Sequence, residues 1–159
     1  MYLVLFVVGE YYLDSIECKI YSKEKNSIKT KIMKTILVDA VNTFVIKDKG
    51  IYDDMYKMLE HYPNKKIILT NADDEQMIKF GLNDMPYEVF TLKHNPKKTD
   101  INYFKILLDH FNFTTNDIVY FEHNKDAVIN AQSVGINTFY YDKETKDLKA
   151  LKKFIDQNL

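Results

Sequence analysis

The sequence predicts an α/β fold, a three-layer α/β/α Rossmann-like domain built around a mainly parallel five-stranded sheet. From Lys34 onward, short apolar runs alternate with stretches of helical periodicity. That is the pattern of parallel strands covered by helices on both faces. A chain of 159 residues with 46% hydrophobic and 14% aromatic content also has ample material for one core of this kind.

The five expected strands are Thr35–Val38, Lys66–Leu69, Glu88–Leu92, Asp117–Phe121 and Asn137–Tyr141. Between them, Tyr52–His61 sets Met55, Met58 and Leu59 at helical spacing, and Ile101–Phe111 does the same with Phe104, Leu107, Leu108 and Phe111. Asp126–Val134 is a third expected helix. Lys146–Leu159 carries Leu148, Leu151 and Ile155 on one stripe and closes the fold. Thr99 or Asp100 is placed to cap the helix that precedes Phe104.

Residues 1–33 read as a segment appended to the α/β domain of residues 34–159. Ile16, Cys18 and Ile20 alternate with polar neighbours as in a strand, after which Ser22 to Lys31 is polar and basic. The α/β pattern loses nothing if the chain starts at Met33. The opening apolar run, Tyr2 to Val8, is too short for a membrane span, has no basic residue before it, and is followed by Glu10 and Asp14. Neither a signal peptide nor an anchor is expected.

With Lys+Arg 22 against Asp+Glu 23, the formal net charge is -1, so no overall field draws the chain to nucleic acid or to an anionic membrane. An anionic ligand must be recognised locally. The lysines of the stretch Lys23–Lys34 lack interleaved aromatics and read as a solvated linker. Cys18 is the single cysteine, which excludes an internal disulfide and a thiol metal cluster and suits a reducing cytoplasm. His61, His94 and His110 show no ligand spacing to one another.

The chemistry-bearing residues fall at the ends of the expected strands, where open α/β sheets bind ligands. The first run ends in Asp39-Ala40-Val41-Asn42-Thr43, and the second in Thr70-Asn71. An Asp there is either a functional carboxylate or a turn cap, and Thr70 and Asn71 are either ligand donors or simple turn residues. Lys98 precedes the helix at Ile101, where it carries either a fixed charge toward a phosphate or a solvated one. The fourth run ends in Glu122-His123-Asn124-Lys125-Asp126, two acids four positions apart. Such acids bind Mg²⁺ in some sites, while Asp126 is equally placed to cap a helix.

An acid at the first strand, Thr at the second, Lys before a helix and acids at the fourth, in that order, resemble the haloacid dehalogenase-like superfamily. The resemblance runs from about Lys34 to the end of the chain. Its most telling stretch is Lys98 to Tyr141, which includes Ser133-Val134-Gly135-Ile136. It implies a Mg²⁺-dependent phosphatase in which Asp39 accepts the phosphoryl group, Thr70, Asn71 and Lys98 hold the phosphate, and Lys98 also orients Asp39. The metal would be held by Asp39, the backbone carbonyl of Val41, and Glu122 where the family usually has Asp, with Asp126 as supporting acid. A carboxylate attacks phosphorus only when charge on the phosphoryl oxygens is masked, so these roles make physical sense together.

Val41 stands where the family's phosphatases usually carry a second Asp, the acid that protonates the leaving group. Losing a general acid costs about 10²–10⁴ in rate, so aryl and acyl phosphates are better expected substrates than sugar phosphates. His123, with an ordinary pKa near neutrality, is a candidate replacement. Val41 and Glu122 equally suit a catalytically impaired relative that acts as a binding module. The chain reads as capless, since the intervals Thr43–Lys66 and Asn71–Lys98 are filled by helices and the third strand. By the resemblance, capless members act on large substrates or form homo-oligomers that cover the site. A phosphoacceptor receiver domain also uses Asp, Thr and Lys on a parallel sheet, but its lysine ends the last strand, whereas Lys98 precedes the fourth run.

Overall fold

In the computed structural model, residues 33–159 are described, and the expectations for the amino-terminal segment lie outside them. Strand β1, Thr35–Asp39, is buried along its whole length. Its neighbours are β4, Lys66–Thr70, and β6, Ile118–Glu122, both parallel to it. Outside these lie β5, Glu88–Thr91, and β7, Thr138–Tyr140, giving a five-stranded sheet in the order β5-β4-β1-β6-β7 with every pairing parallel. Strands buried on both faces have no polar side to show, which is why their sequences read as continuous apolar runs.

Successive side chains along β1 enter opposite faces of the sheet. Ile36 and Val38 join one core cluster, together with Met55 and Leu59 of α1, Asp53–Glu60, and Leu151 and Ile155 of the last helix, Leu148–Asn158. Leu37 joins the other, with Tyr103, Phe104 and Leu107 of α3, Ile101–Phe111, and Ala131 of α4, Lys125–Ser133. The result is the expected three-layer α/β/α Rossmann-like arrangement. Truncating a fully buried side chain such as Leu37 to alanine is expected to cost about 2–5 kcal/mol.

Several short elements have no counterpart in the sequence expectation. Val45–Ile46 and Gly50–Ile51 form a small antiparallel hairpin, β2–β3, whose two-residue strands are too short to show a period. Helix α2, Asp74–Lys79, fully buries no residue and packs only the partly buried Met77, with Phe80 at its cap, against the core. A capping box also fixes its start: the Asp73 side chain accepts from the Gln76 N–H, and the Gln76 side chain accepts from the Asp73 N–H. Of the two residues placed to cap α3, Asp100 does so, accepting from the Asn102 N–H at 2.9 Å. The last helix, α5, is the one given above as Leu148–Asn158. No helix among the described residues is long and apolar enough to cross a membrane.

The strand order decides where a ligand can sit. From β1 the chain moves outward through α1 to β4 and β5, then returns to the other side of β1 as β6. The connections leaving β1 and β6 therefore diverge, and a crevice opens between their carboxyl ends.

Candidate active site

Asp39 ends β1 at this crevice and is 1% exposed. The chain then turns sharply: the Phe44 N–H donates to Asp39 O and the Val45 N–H to Ala40 O, with Asn42 at a φ of 69°. Asn is one of the few residues other than Gly that adopt this left-handed conformation readily. The turn carries the Thr43 hydroxyl back onto Asp39, where it donates to Oδ2.

Lys98 reaches the same carboxylate from the segment before α3. Its backbone N–H donates to Asn71 Oδ1 at 2.8 Å, which ties the segment to the end of β4. Its ammonium donates to Asp39 Oδ1, to Glu122 Oε2 at 2.7 Å and to the Leu69 carbonyl at 3.3 Å. Burial alone would lower the pKa of Lys98. The Asp39 and Glu122 carboxylates outweigh it and raise that pKa, so the side chain stays charged.

Glu122, fully buried at the end of β6, accepts from four directions. Lys98 and the Tyr120 hydroxyl bond to Oε2, while the Asn124 N–H and His123 Nδ1 approach Oε1 at 2.8 and 3.1 Å. Burial pushes its pKa up, yet Lys98 first, then the bonds from His123, Lys98 and Tyr120, hold it well below the usual carboxylate range. His123 Nδ1 also lies 2.6 Å from Asp39 Oδ2. Burial opposes charge on His123, but its bonds to Asp39 and Glu122 prevail and raise its pKa to about 9. At neutral pH two carboxylates thus face an ammonium and an imidazolium.

The group opens into a pocket of about 190 Å³ whose lining includes Val41, Thr70, Asn71, Gln76 and Phe80. Thr70 Oγ1 accepts from the Ala72 N–H at 3.1 Å, so its hydroxyl proton is available to a ligand. Of the residues singled out from sequence, Asp39, Val41, Thr70, Asn71, Lys98 and Glu122 all border the pocket. Asp126 does not. It is exposed in the first turn of α4, and the cap of that helix is Asn124, whose side chain accepts from the Asp126 and Ala127 N–H groups.

Asp39 and Glu122, with His123 as the third member, offer ligand atoms within 4.8 Å of one another, a donor set that fits one divalent cation. Thr43, Tyr120 and Tyr103 were not assigned roles from sequence. Tyr120 lies two positions before Glu122 on the same strand, so period-two alternation alone places them on one face. Tyr103, buried in α3, donates to the Thr70 carbonyl at 3.0 Å and so fixes the end of β4.

An uncharacterized protein from Corynebacterium glutamicum has a similar solved structure, with a TM-score of 0.51 and 14% sequence identity over 78% of this chain and 96% of that chain. A likeness at this identity is one of fold, and it agrees with the Rossmann-like architecture. No family model matches the chain. No curated protein matches it either.

Proposed function

We propose that the chain is a phosphohydrolase of the haloacid dehalogenase-like kind, working through an aspartyl-phosphate at Asp39. The observation that carries this reading is the ion pair of Lys98 with Asp39, both buried, at the floor of a pocket that also presents Thr70. Lys98 fixes the orientation of the carboxylate by holding Oδ1, and Thr43 steadies Oδ2. A carboxylate oxygen of Asp39 forms a bond to phosphorus as the bond to the leaving-group oxygen breaks. Water then attacks the mixed anhydride and returns Asp39 with release of phosphate. The Thr70 hydroxyl and the Lys98 ammonium stabilise charge on the phosphoryl oxygens.

A divalent cation, Mg²⁺ by the resemblance, would be held by Asp39, Glu122 and the Val41 carbonyl and would neutralise phosphoryl charge further. Val41 cannot protonate a leaving group, so an aryl or acyl phosphate is the favoured substrate class.

The test is hydrolysis of an aryl phosphate and of acetyl phosphate, with and without divalent cation, by the natural protein and by Asp39→Asn. Turnover that Asp39→Asn abolishes is expected. Turnover that survives that substitution would overturn the reading. One observation favours a second reading, a binding module: both oxygens of Asp39 already have protein partners. Absence of turnover on either substrate under every condition would favour it.

A further inference from the structure

We propose that the cation of this pocket is one that takes an imidazole nitrogen, of the Zn²⁺ or Co²⁺ class, bound by Asp39, Glu122 and His123 in preference to Mg²⁺. The inference rests on the reading of the pocket as a cation-assisted site and deepens it by naming the cation class and a ligand.

The division of oxygens makes the case. Lys98 bonds to Asp39 Oδ1 and Glu122 Oε2. The remaining oxygens, Asp39 Oδ2 and Glu122 Oε1, converge on His123 Nδ1 at 2.6 and 3.1 Å. One side of the carboxylate pair is thus committed to the ammonium; on the other, two oxygens bond to the Nδ1 proton, and a cation that displaces that proton would meet three ligand atoms lying within 4.8 Å of one another. Each of these two oxygens also accepts one protein hydrogen bond, from Thr43 to Oδ2 and from the Asn124 N–H to Oε1. Those bonds orient the ligands in the way that outer partners steady a metal site.

Mg²⁺ takes near-octahedral oxygen ligation, from one or two carboxylates with waters, and makes no use of the imidazole that is the third donor here. The other acid of this strand end, Asp126, is exposed and outside the pocket, so it adds no oxygen to those of Asp39, Glu122 and the Val41 carbonyl. Imidazole suits Zn²⁺ and Co²⁺. Three protein ligands beside a pocket of about 190 Å³ leave further positions to water or a substrate oxygen, the arrangement of catalytic rather than structural zinc.

The experiment measures binding without substrate. The full chain is titrated with Co²⁺, Zn²⁺ and Mg²⁺ separately by calorimetry, with the visible absorption of Co²⁺ as a second signal, for the natural protein, His123→Ala and His123→Asp. One equivalent of Co²⁺ or Zn²⁺ is expected, bound more tightly than Mg²⁺. His123→Ala is expected to weaken Co²⁺ and Zn²⁺ about tenfold or more while Mg²⁺ changes little. His123→Asp is expected to shift the preference toward Mg²⁺ by restoring an oxygen.

Co²⁺ affinity unchanged in His123→Ala would overturn the inference, because binding would then lie elsewhere, as at another histidine. Mg²⁺ bound as tightly as Co²⁺ by the natural protein would overturn it too, as would no binding of Co²⁺ or Zn²⁺. The hydrolytic reading stands or falls separately, on turnover and its loss in Asp39→Asn.

Discussion

His123 Nδ1 lies 2.6 Å from Asp39 Oδ2, so the imidazole shares the carboxylate with Lys98 and Thr43. The groups that face it are Asp39, Glu122 and the Thr43 hydroxyl. Because its pKa is raised from 6.5 to about 9, the folded state binds the proton more tightly than the unfolded one. The stability this contributes is fully present below pH about 6.5 and lost as pH rises through about 9. In metal-chelating buffer, the thermal midpoint of the natural protein is expected to fall across this window, and that of His123→Ala to fall less. Equal slopes for the two would sink the assignment.

Lys98 is the one ammonium between two buried carboxylates. Lys98→Met leaves Asp39 and Glu122 without it, and breaking a buried pair from one side costs about 3–5 kcal/mol. Asp39→Asn keeps an acceptor for Lys98 and removes a charge, so it is expected to cost less. Urea denaturation of the two variants gives the order, and the reverse order would show that Lys98 is held mainly by packing.

The Tyr120 hydroxyl donates to Glu122 Oε2 at 2.5 Å with both groups fully buried. Tyr120→Phe keeps the ring beside Phe104 and removes a bond to a charged group. A loss of about 1.5–3 kcal/mol is expected. A change within error in urea denaturation would mean that Lys98, the Asn124 N–H and His123 alone satisfy Glu122.

The legibility of this molecule in its sequence follows burial. Strands such as β1 and β6 are covered on both faces, so most of their residues are apolar, and their expected bounds differ from the observed ones by a single position at an end. The hairpin Val45–Ile51 and helix α2 place only a few residues, such as Val45 and Met77, on the core, and two-residue strands and a six-residue helix are too short to show a period.

The site divides in the same way. Asp39, Thr70 and Glu122 could be read because they end strands, and β-topology brings strand ends together. His123 was the harder case: neighbours along a strand face opposite ways, but Glu122 is the last residue of β6, and the turn beyond it swings the imidazole back to the same pocket. Asp126 shows the converse, since a spacing of four places it in the first turn of α4, exposed and outside the pocket lining.

Tyr141 presents a different signal. It is 1% exposed, and its hydroxyl has no hydrogen-bond partner among the described residues. A buried unpaired hydroxyl costs about 1–3 kcal/mol, while the ring packs edge-on against Phe121. Tyr141→Phe keeps the ring and removes the hydroxyl, so it is expected to leave the thermal midpoint unchanged or raise it. A clear fall would show that the hydroxyl bonds to something outside the described residues.

Val41 offers the most direct probe of the proposed chemistry, because it borders the pocket two positions after Asp39 and supplies no proton. If the leaving group departs unprotonated, Val41→Asp should act selectively. An alkyl phosphate, whose alkoxide is a poor leaving group, is expected to gain about 10²-fold in turnover, the low end of what a positioned general acid contributes. An aryl phosphate, whose phenolate leaves readily, is expected to change little. Val41→Asn has nearly the same shape and no acidic proton, so it separates proton donation from a change in pocket form. A gain in Val41→Asp that is equal for alkyl and aryl substrates, or that Val41→Asn reproduces, would mean that Val41 governs access to Asp39 rather than the fate of the leaving group.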